Sequence, residues 1–88
     1  MAETCRERDE RRLVEIVIER DRAGRTITIQ DAADKIGRSV RYVHSLVNHS
    51  EQINKIVAYG YGGGYCLIER VGDYELEAFY PHPTQDQP

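Results

Sequence analysis

TIQDAADKIGRSVRYVHSLVN, residues 28–48, is the stretch whose reading decides the fold. Two apolar sets meet at Gly37: Ile29, Ala32, Ala33 and Ile36 before it, then Val40, Val43, Leu46 and Val47 after it. Each set recurs at spacings of three and four residues, which gathers its members on one face of a helix. Thr28 is placed to cap the first helix, with Asp31 three residues on to return a hydrogen bond in capping-box fashion. Gly37 offers the positive φ that a tight turn between helices demands, and Ser39 is the natural cap of the second helix. The stretch reads as two short helices joined by a tight turn.

Upstream, residues 8–23 carry a helical stripe of Leu13, Ile16 and Val17 among Arg and Glu, ended by Gly24 with arginines near the negative helix end. Val14 and Ile18 widen that stripe to about half the circumference at ~100° per residue. A helix covered on one side only does not need that width. Either the C-terminal segment covers the extra edge or a second subunit does. The expected subunit interface is Val14 and Ile18 with Leu76, Phe79 and Tyr80. Residues 1–7 are expected to be flexible, and residues 26–28, β-branched and short, form a minimal strand.

Downstream, Ser50-Glu51-Gln52 is a polar stop. Residues 53–59 and 65–71 then read as two strands around Gly60-Tyr61-Gly62-Gly63-Gly64, a β-hairpin with imperfect alternation in its first arm. In the second arm Tyr65 and Leu67 share one face, Cys66 and Ile68 the other. Residues 74–80 fit a short helix through Leu76, Phe79 and Tyr80, or a strand through Tyr74, Leu76, Ala78 and Tyr80; helix is the reading adopted. Pro81 ends either element, and residues 81–88 read as a disordered tail. The domain is expected over residues 8–80.

Eighty-eight residues make one small domain. No apolar run approaches the ~20 residues that span a bilayer, so no membrane association is expected. The charged start, MAETCRERDERR, has no apolar core of a secretory signal. Cys5 and Cys66 lie far apart, without Cys-x-x-Cys spacing, which points to a reduced, cytoplasmic protein with neither disulfide nor zinc. A formal charge of −3 counts against indiscriminate polyanion binding but leaves room for one basic face. Catalysis finds no support. His44 and His49 are five apart, a poor fit to one helical face, and read as a surface pair. The hairpin glycines miss a nucleotide fingerprint at Tyr65. Glu69, Asp73, Glu75 and Glu77 read as a solvated acidic edge rather than an acid–base pair. No enzyme, cofactor or metal is expected.

The order helix, short strand, helix, helix, hairpin resembles the winged helix-turn-helix family of DNA-binding regulators. TIQDAADKIGRSVRYVHSLV carries the resemblance through its small-residue pair, turn glycine, opening serine and apolar core positions, and GGGYCL is similar to the Gly-Tyr-x-Leu return of the wing. The likeness spans residues 13–68. It departs from the family after the second of these helices, where Ser50-Glu51-Gln52 stands in place of a Gly-containing turn. The resemblance implies an α+β fold: a three-helix core, a short strand and a β-hairpin wing, to which residues 74–80 would add a short C-terminal helix. It further implies a sequence-specific double-stranded DNA-binding protein, a small transcriptional regulator or repressor, with residues 39–49 in the major groove.

The residues support that function independently. With Val40, Val43 and Val47 turned to the core, Arg41, Tyr42, His44, Ser45 and Asn48 fall on the opposite side, and such groups match base edges and phosphates. Arg38 and Ser39 stand at the helix start, where N–H groups and the dipole favour a phosphate. Any exposed helix face is polar, but residues 36–50 hold two Arg and two His and no acid within a net acidic chain. Tyr61, at the hairpin tip, is the remaining contact candidate, while Tyr59 and Tyr65 are expected to pack on the sheet. A homodimer is expected because one such domain covers limited DNA. No small-molecule effector is evident. The alternative is a winged-helix protein-interaction module, in which the tyrosine-rich hairpin and the acidic balance serve a protein partner.

Overall fold

The computed structural model describes residues 5–72, in the order α1 (Cys5–Arg22), β1 (Ile27–Thr28), α2 (Ile29–Ile36), α3 (Val40–His49), α4 (Glu51–Asn54), β2 (Val57–Gly62) and β3 (Tyr65–Arg70). This is a mixed α+β arrangement with a three-stranded antiparallel sheet in which β3 lies between β1 and β2. The register pairs Ile27 with Ile68 and Thr28 with Leu67 on one side of β3, and Tyr59 with Ile68 and Gly60 with Leu67 on the other. Expectations for residues 74–80, including Leu76, Phe79 and Tyr80, and for the tail at 81–88, lie outside the described residues.

The turn at Gly37 forms as the sequence predicts. Thr28 Oγ1 accepts from the Asp31 N–H at 3.1 Å, and Ser39 Oγ accepts from the Tyr42 N–H at 3.1 Å. Gly37 sits at φ 73°, a conformation that costs a residue with a Cβ about 1–2 kcal/mol. From there the Arg38 N–H reaches the Ala33 carbonyl at 3.0 Å and the Gly37 N–H reaches Asp34 at 3.3 Å, closing the orphan carbonyls of α2 in a Schellman motif. The Asp31 carboxylate does not return to the cap. It bonds Arg20 of α1 at 3.1 Å, so a local expectation gives way to a tie between helices.

Three other expectations change. Helix α1 starts at Cys5, three residues before the anticipated position, with Arg6 and Glu10 paired one turn apart at 3.2 Å. Val14 and Ile18 are 0% and 4% exposed within the single chain. They belong to the core with Leu13, Ile16 and Val17, so the width of the stripe is used up inside one subunit and these two offer no surface to another. The first arm of the hairpin is shorter than expected. Ser50 caps a one-turn helix through the Ile53 N–H at 3.2 Å, and β2 begins only at Val57. Ile53, Ile56 and Val57, all fully buried, stand at helical spacing, which is why alternation fails there.

The core is aliphatic, and Leu13, Val17, Ile27, Leu46, Ile53, Ile56 and Ile68 are all 2% exposed or less. At about 1.5–3 kcal/mol for each fully buried large aliphatic side chain, these residues dominate the favourable side of folding. They fix α3 by its inner face, through Val43, Leu46 and Val47, against the rest of the domain. Among the described residues no helix is long and apolar enough to cross a membrane.

Candidate nucleic-acid interface

Helix α3 is amphipathic, and its outer face contains no carboxylate. Arg41 and Asn48 are exposed on it, followed by His49 at its C-terminal end. An exposed guanidinium and an exposed amide one and a half to two turns apart can meet base edges or phosphates without first breaking an internal bond. Neither makes a side-chain hydrogen bond within the described residues. These two are the sequence-predicted contacts on α3 that the fold leaves available.

Of the other candidates on α3 and at its start, Arg38, Ser39, Tyr42 and His44 are engaged inside the molecule. Tyr42 is half-buried, and its hydroxyl donates to Asp9 Oδ2 of α1 at 2.7 Å. Arg38 Nε donates to the same oxygen at 3.2 Å, and its guanidinium lies 5.2 Å from the Tyr42 ring centroid, within cation–π range. One carboxylate thus clamps the start of α3 to α1. Burial, followed by the hydrogen bond and charge of Asp9, pushes the Tyr42 phenol above its ordinary pKa. The phenol is a neutral donor there at any physiological pH. Ser39 is exposed, but its side-chain oxygen is used as a cap.

His44 and Ser45 are half-buried. His44 Nδ1 lies 2.9 Å from the Tyr59 hydroxyl, with the rings 5.3 Å apart and inclined at 49°. This pair joins α3 to β2, so the helix and the hairpin are held in a fixed relation. Burial pushes the Tyr59 phenol up as well, with Cys66 and Tyr61 adding to the effect. Tyr59 packs against the core as expected; Tyr65 does not, being 64% exposed. Tyr61, 82% exposed, is the most projecting large side chain of the hairpin. Gly63 and Gly64, at φ 59° and 82°, form the two-residue turn next to it, the double left-handed geometry that matches strand twist.

Asp9 and Glu10 were not legible as part of this surface. They are 9% and 7% exposed, on α1, far in sequence from α3. A signal was present, since each stands one helical turn ahead of a core residue, Asp9 before Leu13 and Glu10 before Val14. A buried acid continuing an apolar stripe needs a hydrogen-bonding partner, and Arg38 with Tyr42 is the partner of Asp9.

Among the described residues no group of three or more His, Cys, Asp or Glu side chains is gathered to hold a metal, and Cys5 and Cys66 are free thiols. No family model, curated protein or solved structure matches this chain. The functional reading accordingly rests on the geometry of α3, its turn and the hairpin.

Proposed function

We propose that the chain is a winged helix-turn-helix protein that binds double-stranded DNA, with α3 in the major groove and the β2–β3 hairpin as the wing. The observation that carries the reading is the outer face of α3: Arg41 and Asn48 exposed, no acid along the helix, and the inner face locked to the core by Val43, Leu46 and Val47. An α-helix about 10–12 Å across fits the ~12 Å major groove, so an anchored helix with such a face can read base edges. The Schellman turn at Gly37 and the His44–Tyr59 bond support the reading, because they preset α3 against its neighbours and reduce the ordering needed on binding. A small transcriptional regulator or repressor in a reducing cytoplasm is the setting in which such a domain acts. Two copies on an inverted repeat would place their α3 helices about 34 Å apart, through a surface other than Val14 and Ile18.

A second reading draws on the hairpin. Tyr61 and Tyr65, 82% and 64% exposed beside the hairpin turn, present aromatic side chains suited to a protein partner. Fluorescence anisotropy with a random-sequence duplex at about 50 and 200 mM salt separates the two. The DNA reading expects binding that weakens steeply with salt. A protein that binds no duplex at the lower salt overturns it in favour of the hairpin as an interaction edge.

A further inference from the structure

An open groove of about 530 Å³ runs between the N-terminal half of α1 and the α2–α3 turn, with Arg8, Arg11, Arg12, Lys35 and Arg38 in its walls. Among the described residues that line it Asp9 is the one acid, and Glu15 pairs with Arg12 from beside it. The whole chain is net −3, which makes a groove of this sign a concentrated local departure. Its position is informative too. Gly37 and Arg38 line it and are also the two residues immediately before Ser39, the cap of α3.

We propose that this groove is a second contact to DNA, a track for the phosphodiester backbone that flanks the major groove holding α3. The inference rests on the DNA-binding reading above and adds a surface on α1 that the helix-turn-helix pair does not supply. A helix nearly as wide as the groove it fills brings the phosphates of both strands to its edges. The residues just ahead of α3 therefore meet one backbone, and the walls of the groove extend that contact from Arg38 to Lys35 on α2 and to Arg8 and Arg12 on α1. Asp9 holds Arg38 at the rim, at 3.2 Å, so the guanidinium stays oriented across the junction before any phosphate arrives. Contacts of this kind position the protein and carry no sequence information.

The test uses the full chain and the paired variant Arg8→Gln/Lys35→Gln, which removes one exposed cation from each wall, with Arg25→Gln as an exposed cation outside the groove. Affinity for a selected duplex and for a random duplex is measured over a range of salt. Each lost phosphate contact should lower the slope of log K against log salt by about 0.9, so the paired variant should lose about 1–2 in slope. Its preference for the selected duplex should stay as in the parent, and Arg25→Gln should leave the slope unchanged. A paired variant with the parent's slope overturns the groove and leaves the α3 reading standing, as does an equal fall in slope with Arg25→Gln, which would be an effect of net charge. A parent that binds no duplex overturns both. Amide shifts of the unaltered protein give an answer free of any folding defect: Arg8, Lys35, Gly37 and Arg38 should move on adding duplex, and their silence overturns the proposal.

Discussion

Replacing Tyr42 with phenylalanine separates a structural role from a DNA contact at the position where the two readings differ most. The hydroxyl donates to Asp9 Oδ2 at 2.7 Å, and the same oxygen accepts from Arg38 at 3.2 Å. A hydrogen bond to an ionised group contributes about 1.5–3 kcal/mol, and the half-exposed position of Tyr42 puts this one at the lower end, about 1.5 kcal/mol. Arg38 is about half exposed at its side chain, so its ion pair with Asp9 is screened to about 0–1 kcal/mol. Asp9→Ala, which removes both, should then cost about 1.5–2.5 kcal/mol. For a domain of this size 1 kcal/mol moves the midpoint by about 4–8 °C, so Tyr42→Phe should melt about 6–12 °C below the parent. Thermal and urea unfolding of the parent, both single variants and the double variant complete the cycle. If the bond is direct, the double variant is scarcely worse than Asp9→Ala alone, with a coupling near 1.5 kcal/mol in magnitude. Additivity to within about 0.3–0.5 kcal/mol would refute the clamp. Duplex affinity provides an independent measurement: Tyr42→Phe should bind as the parent does, because the hydroxyl is directed at α1. A tenfold loss of affinity would mean that it serves DNA instead.

Other substitutions probe the remaining parts. Arg41→Ala and Asn48→Ala should each weaken binding to a selected duplex by about 1–3 kcal/mol while leaving the urea midpoint within about 0.5 kcal/mol of the parent, as read from anisotropy and denaturation on the same samples. Gly37→Ala should cost about 1–2 kcal/mol through backbone strain alone, since nothing lies within 4 Å of a Cβ added there; an unchanged midpoint would show that α2 does not end in the left-handed turn. Ile18→Ala should destabilise the chain by about 2–5 kcal/mol and leave its sedimentation behaviour that of the parent, because Ile18 lies in the core of the single chain. Alkali should also loosen the fold. The Tyr42 and Tyr59 phenols have raised pKa values in the folded state, so above about pH 10 the native chain holds protons that the unfolded chain has released. Their contribution is complete below that pH and lost as pH rises through the folded values, and Tyr42→Phe and Tyr59→Phe should each flatten the decline in urea midpoint measured between about pH 9 and pH 11.

The order of elements is largely written in short-range chemistry. Thr28, Gly37 and Ser39 act on backbone groups within five residues of themselves, so their roles as cap, turn and cap can be read without knowing what the helices touch. The same holds for Gly24, whose turn closes α1 through the Arg25 N–H to Arg20 carbonyl bond at 2.8 Å, and for the glycines of the hairpin. The inner face of α3 follows from spacing, and with it the exposure of Arg41 and Asn48. Residues 53–56 lay on the margin, where a short apolar run satisfies helix and strand alike and Ser50 tips it to a turn of helix.

What needed the tertiary structure was the fate of every polar group whose partner is remote in sequence. Asp9 lies twenty-nine residues from Arg38 and thirty-three from Tyr42. Tyr59 lies fifteen from His44. Periodicity assigns a residue to a face of its own helix but says nothing of which other element will cover that face. Tyr42 and His44 therefore looked free on α3 until α1 and β2 were packed beside it. Val14 and Ile18 were open to a subunit interface for the same reason, and their burial in the core of one chain removes it. The basic groove is of this kind too: its walls come from α1 and the α2–α3 turn, two segments separated by more than twenty residues, and only the docking of helices turns scattered arginines into one charged surface.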